Sequence, residues 1–175
     1  MAMLSKACIT TSRFKLLSTK GEGTQSDVSW VDYFCPSPVL FLKGFSGMRP
    51  VNLGVKDGHL ALCPVNPNCV SSESRDRIHF VEPLRYSSTT SEAMADLKRI
   101  ILQLKRSKIV IEADNYLSVE CRSAVWRFVD DVEFSFDDVA KIINVRSASR
   151  IGKSDLGVNR KRIETIRAAW NARGK

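Results

Sequence analysis

The sequence predicts an α+β domain, a curved antiparallel sheet of about five strands with two helices on its apolar face. Three observations predict it. Four successive segments between Ile109 and Arg146 alternate apolar and polar side chains with period two. An amphipathic run opened by Thr89 and Glu92 precedes them, and another follows Gly157. The element order is then strand, helix, four strands, helix, and its simplest packing lays both helices on one side of the sheet.

The 175 residues suffice for one compact domain and a tail. With 43% hydrophobic and 26% charged residues the composition is that of an ordinary globular protein. Apolar stretches reach about four residues, as at Val39–Leu42, against roughly twenty for a spanning helix, so no transmembrane helix is expected. The chain divides into three regions. Residues 1–26 carry Lys6, Arg13, Lys15 and Lys20, many Ser and Thr, and one acid, Glu22. That is a disordered leader with the composition of a transit peptide. Residues 27–53 place Trp30, Tyr33, Phe34, Phe41 and Phe45 among Pro36, Pro38, Gly44, Gly47 and Pro50. So many breakers leave no period, and the reading is an extended arm whose aromatics lie on the domain surface or on a partner. Residues 54–173 form the globular domain.

Within it, Leu60–Ser72 is turn-rich around Pro64 and Pro67. Ile78–Val81 reads as an edge strand ended by Pro83. Thr89 and Glu92 make a capping box, after which Ala93, Leu97, Ile100, Ile101 and Leu104 share one face and Lys105 and Arg106 close the helix. Four strands come next: Ile109, Ile111 and Ala113; Leu117, Val119 and Cys121 against Ser118, Glu120 and Arg122; Val132, Phe134 and Phe136 against Asp131, Glu133 and Ser135; Ile143 and Val145 against Asn144 and Arg146. Each has one apolar and one polar face, the pattern of a sheet covered on one side. Asp114-Asn115 and Asp137-Asp138 signal hairpin turns. In the last helix Asn159 suits the N-cap, Val158 and Ile163 form a hydrophobic staple, and Ile163, Ile166 and Trp170 make the apolar stripe. The element order resembles half of a TATA-binding-protein-like saddle, or a reduced helix-grip fold. Such a likeness carries no activity.

Charge is segregated along the chain. Residues 141–175 hold ten Lys or Arg and two acids, Asp155 and Glu164, so 10 − 2 = +8, the whole formal net charge. Arg146, Arg150, Lys153, Arg160, Lys161 and Arg162 are the candidate surface for an anionic partner. Three of them fall in the first helical turn, where the macrodipole is already positive, and with the free amides they would make an anion site. The competing reading is neutralisation by the acidic segment Phe128–Asp138, which holds Asp130, Asp131, Glu133, Asp137 and Asp138. A tight turn would bring Glu133 near Arg146, with Arg122 on the other side. That group is either a set of solubilising cross-strand pairs worth about 0.2–1 kcal/mol each or a carboxylate–guanidinium site for a planar charged ligand. Gly152-Lys153-Ser154 resembles the end of a P-loop, but Ser147 stands where the motif needs Gly.

Five residues separate Cys63 from Cys69 in a Pro-pinned loop flanked by His59 and His79. Two buried thiols are the expected outcome. The alternatives are a zinc site of His59, Cys63, Cys69 and His79, a disulfide in an oxidising lumen, or a thiol enzyme using Cys69 with His79 as base. Cys121, on an apolar strand face, is expected to pack.

Two stretches together resemble a known family. One is Cys63-Pro64 followed by Pro67-Asn68-Cys69-Val70-Ser71-Ser72. The other runs from Val129-Asp130-Asp131-Val132-Glu133-Phe134 through Val145-Arg146-Ser147-Ala148-Ser149-Arg150 to Gly157-Val158-Asn159-Arg160 and Arg162-Ile163. Both resemble the family catalogued as domain of unknown function 1499, over about residues 54–173. The family has no established activity, so the resemblance implies a fold unit and a lineage. Its plant and algal members are generally read as plastidial, which agrees with the leader.

These readings combine into a non-catalytic binding or assembly module in the chloroplast, peripheral to the thylakoid membrane, needing no cofactor. It would dock an acidic protein surface or anionic lipid through the basic C-terminal surface, with Trp170 and the aromatic arm at the membrane interface. A small-ligand binder or enzyme, using the Cys63–His79 segment or the face of Arg122, Glu133 and Arg146, is the alternative. RNA binding is disfavoured, because the polar strand faces lack the aromatics on which bases stack.

Overall fold

The computed structural model describes residues 46–124 and 127–173. Six strands and two helices occur in the order β1 (Cys69–Ser71), β2 (Leu84–Arg85), α1 (Thr90–Gln103), β3 (Ser107–Ala113), β4 (Tyr116–Arg122), β5 (Val129–Asp137), β6 (Ile142–Ser149) and α2 (Val158–Ala172). The leader and the aromatics Trp30 to Phe45 lie outside the described residues. All strands pair antiparallel in the order β1-β6-β5-β4-β3, and β2 pairs with the opposite end of β6 from β1. The α+β architecture is as expected, with six strands in place of about five.

Register places the core. Leu117 lies opposite Phe134, which lies opposite Val145, and Val119 opposite Val132, so one face of β4, β5 and β6 is apolar. Leu97 and Ile101 of α1 and Ile163, Ile166 and Trp170 of α2 cluster with that face. Each fully buried Leu or Ile contributes about 1.5–3 kcal/mol of transfer free energy there. Trp170 is therefore a core residue and not a membrane anchor; it is 2% exposed and its indole N–H donates to the Arg85 carbonyl at 2.8 Å.

The capping box forms as read: the Thr89 hydroxyl accepts from the Glu92 amide at 3.3 Å, and the Glu92 carboxylate accepts from the Thr89 amide at 3.0 Å. Met94 joins the expected buried stripe of α1. Lys105 and Arg106 lie past the end of that helix, because Leu104 is already extended with ψ 127°.

Several local expectations are corrected. Ile78–Val81 is no strand: the Asp76 carboxylate accepts from the amides of Ile78 and His79, folding a turn there. The true first strand, Cys69–Ser71, lay inside the turn-rich segment. A register shift between Ile109 and Ile111 sends Ile109 to the core and leaves Ile111 partly exposed, the effect of a bulge. Asn159 does not cap α2. Gly157 does, in a left-handed conformation with φ 78°, and Asn159 is fully buried. Val158, expected in a staple, is about half exposed.

Across the middle of β4, β5 and β6 the second face of the sheet is buried. Residues 49–63 cross it as a strap tied at four points. Arg49 donates to the Ser118 hydroxyl at 3.3 Å, the Gly54 amide to Glu133 at 2.7 Å and the Leu60 amide to Glu73 at 3.2 Å. A disulfide joins Cys63 to Cys69 of β1. Asp57-Gly58, with φ 51° and 81°, turns the strap back on itself between paired Lys56 and His59, as a type I′ turn does. Gly54 at φ 113° reaches Glu133 from a conformation that L side chains rarely adopt.

The expected pair of free thiols is thus a bond. β1 passes close enough to the strap that the two Cα atoms stand 5.6 Å apart, within disulfide reach. Replacing both by serine should lower stability by about 2 kcal/mol, the loop-closure estimate for so short a loop. Denaturant unfolding with and without a reductant checks this, and equal midpoints would show that the bond contributes nothing.

Candidate functional site

The strapped face carries the charge. Glu133 of β5 sits between Ser118 of β4 and Arg146 of β6 in register. It is 0% exposed. Its Oε1 accepts from the Gly54 amide at 2.7 Å and the Tyr116 hydroxyl at 2.8 Å, and its Oε2 accepts from Arg146 Nη1 at 3.0 Å. Burial, then the bond to Glu133, holds the Tyr116 phenol well above its ordinary pKa. Arg146 is 5% exposed, and its Nε is buried with no acceptor.

Arg150 extends the network. Its Nε and Nη2 meet the two oxygens of Asp131 at 2.8 and 2.6 Å, a bidentate fork, and Nη2 also meets Glu120 at 2.6 Å. The Asp131 bond raises the Arg150 guanidinium further. Burial pushes the Glu120 carboxyl up, but the bond and charge of Arg150 overcome this and leave it below its ordinary value. These are therefore buried pairs and not the exposed, weakly stabilising pairs expected. Arg122 stands apart: it lies opposite Val129, half-exposed, and reaches Glu120 at 3.9 Å rather than Glu133.

On the helix side, Arg162 of α2 binds Asp130 of β5. The Asn159 amide donates to the Asn68 carbonyl at 3.1 Å and the Ser149 hydroxyl at 3.0 Å, and its oxygen accepts from Ser147 and Arg162. The anion site foreseen at the start of α2 is already taken. Asp155 accepts from the amides of Gly157 and Asn159 at 2.9 and 2.8 Å.

The basic surface is accordingly corrected for Arg146, Arg150 and Arg162, which carboxylates of β4 and β5 hold. Arg160 commits its guanidinium to the carbonyls of Phe80 and Ile78, at 2.7 Å each. Lys153 and Lys161 remain exposed, with no carboxylate partner among the described residues. They flank Leu156, 94% exposed in a left-handed conformation with φ 55°, and the exposed Val158. Ile78 and Phe80, which sequence reading assigned to a strand, join this tip through Arg160. The signal available beforehand was two apolar residues among cations.

The cysteine segment does not assemble into the zinc site or the thiol dyad. Both sulfurs are bonded to each other. His59 faces Glu73 at 3.4 Å. The His79 ring nitrogens face Asp76 at 2.8 Å and the Asn66 carbonyl at 3.2 Å, and the bond to His79 lowers the Asp76 carboxyl. Among the described residues no three His, Cys, Asp or Glu side chains converge as a metal site. Cys121 is free and packs in the core, where burial pushes its thiol up. None of the helices described is long and apolar enough to cross a membrane.

The fold and the site together define a class: a small α+β domain whose sheet buries apolar side chains under helices and an ion-pair network under a strap. The chain belongs to the family described as Protein of unknown function (DUF1499), whose pattern matches residues 59–170. No curated protein matches the chain significantly.

Removing one member of a buried pair strands the other, at about 3–5 kcal/mol. Glu133→Ala should show that loss in urea unfolding, and Glu133→Leu with Arg146→Met should lose less than the two singles summed. Additive losses would mean the pair is not coupled.

Proposed function

We propose that the chain is a non-catalytic binding module that docks an anionic lipid surface through the tip before and at the start of α2. The carrying observation is the exposed apolar pair Leu156 and Val158 between Lys153 and Lys161, cations that no carboxylate satisfies among the described residues, with Arg160 beside them. Apolar side chains that enter the headgroup boundary while lysines meet anionic lipid is the physical pattern of interfacial binding. Leu156 supports the reading further: a left-handed conformation costs a leucine about 1–3 kcal/mol, and such strain gathers at functional positions. An acidic protein surface would match the cations and leave the apolar tip without a role.

Flotation of the full chain with phosphatidylcholine vesicles, with and without phosphatidylglycerol, tests it. Binding should need the anionic lipid and weaken with salt. Lys153→Ala, Arg160→Ala and Lys161→Ala together should weaken it by at least about tenfold. Leu156→Asn should weaken it too while leaving the fold as stable or more so, since Asn tolerates that conformation. Capture of polyglutamate with no flotation would transfer the reading to acidic protein surfaces.

The compartment we propose is a plastid, on the composition of residues 1–26 and the likeness to plastidial members, with the module peripheral to the thylakoid membrane. A disulfide persists in an oxidising lumen, in keeping with that choice. A fluorescent protein fused behind residues 1–26 should enter plastids; retention in the cytosol would remove the proposal.

A further inference from the structure

The loop closed by the disulfide lies against the tip. Asn68 donates through Nδ2 to the Gly152 carbonyl at 2.6 Å, and the Asn159 side-chain amide donates to the Asn68 carbonyl at 3.1 Å. A ring nitrogen of His79 lies 3.2 Å from the Asn66 carbonyl. Arg160 in turn donates to the carbonyls of Ile78 and Phe80. Residues 63–69, 75–80 and 151–160 are therefore bonded to one another just past the end of β6.

Two features of this group bear on a partner. The first is apolar exposure, present in each of the three segments. Val65 is 96% exposed and Ile78 66%, beside the exposed Leu156 of the tip. Branched side chains left in water on loops bonded together mark a place of association. The second is charge. Arg75, Arg77 and Lys153 are exposed, with no carboxylate partner among the described residues. The acids of these segments are already engaged, Asp76 with His79 and Asp155 with the amides of Gly157 and Asn159. The complementary negative charge must come from outside. The disulfide loop is also stiff, held by the Cys63–Cys69 bond, Pro64 and Pro67. Burying Val65 against a partner thus orders little further chain.

We infer that Val65 is a second point of insertion into an anionic lipid surface, paired with Leu156. The inference rests on lipid docking through the tip and adds an orientation to it. One insertion point leaves the domain free to tilt, whereas two loops bonded together fix which end meets the headgroups. The β5–β6 turn, at the opposite end of β6, then points away from the surface.

The test reads the loops separately. The full chain, carbon-13-labelled at its valine and leucine methyl groups, is mixed with phosphatidylcholine–phosphatidylglycerol bicelles. These hold a lipid with a nitroxide on its acyl chain. Signals are identified by their loss in Val65→Ala, Leu156→Met and Val139→Ala. The nitroxide should broaden Val65 and Leu156 together and leave Val139 sharp, although Val139 is 97% exposed in the β5–β6 turn. Val65→Asn should weaken flotation with the anionic vesicles at least about threefold. Its melting temperature should not change, because that side chain is already in water. Broadening of Leu156 with Val65 sharp, or flotation unmoved by Val65→Asn, overturns the second insertion point and leaves the tip standing. Broadening of Val65 alone overturns the tip and with it the pairing. Sharp signals at both overturn both readings. Equal broadening of Val139 overturns the orientation, since contact would then follow exposure alone.

Discussion

One carboxylate holds the layers of this domain together. Glu133 is wholly buried on the side of the sheet away from the helices. Burying a lone charge costs several kcal/mol, so it is tolerable only if nearby donors replace the lost water. Those donors come from three distant parts of the chain: Gly54 in the strap, Tyr116 in β4 and Arg146 in β6. None is a sequence neighbour. The strap therefore has a definite seat, since moving it would uncover the carboxylate, and β4, β5 and β6 must keep their register for the phenol and the guanidinium to arrive.

The same network changes what the charge distribution means. Along the chain the positive charge piles up at the C-terminal end, but in space β6 lies beside β5, and Arg146 of β6 and Arg150 just past its end meet carboxylates of β4 and β5. Arg162 reaches back to Asp130 from α2 in the same way. Segregation in sequence is thus largely cancelled by antiparallel pairing. Among the described residues, Lys153 in the loop before α2 and Arg160 and Lys161 in its first turn have no carboxylate partner, and they lie close in sequence to the exposed Leu156 and Val158. A tip of this kind and a diffuse basic face attract different partners, because the tip adds insertion to attraction.

Cross-linking ties the strap to the sheet. Cys63 lies in the strap and Cys69 in β1, beside Ala148 of β6. The loop between them is short and holds Pro64 and Pro67, so the bond fixes a segment that is already stiff. Its effect falls on the lid over the polar face more than on the helix-covered core.

Much of the fold was legible in the residues. Alternation over Leu117–Cys121, Asp131–Phe136 and Ile143–Arg146 is regular, and period two leaves one choice of inward face; Thr89 and Glu92 announced a helix because both halves of the cap are local. The pairing of Glu133 with Arg146 was legible too, since a short turn fixes its register. Arg122 was misplaced because facing the same side does not make two residues neighbours along a strand. Asn159 read as a cap because capping chemistry is local, whereas its partners Asn68, Ser147 and Ser149 come from other elements. A polar strand face looks solvated from the sequence alone, and here a strap without periodicity covers it. The sequence by itself determined the elements, their order and the apolar face, because those arise from interactions a few residues apart. Beyond the Glu133–Arg146 hairpin pair, tertiary structure decided which charges are paired, how deeply they are buried and which are free, because electrostatic energy depends on distance and burial in space, and neither is written in the order of residues.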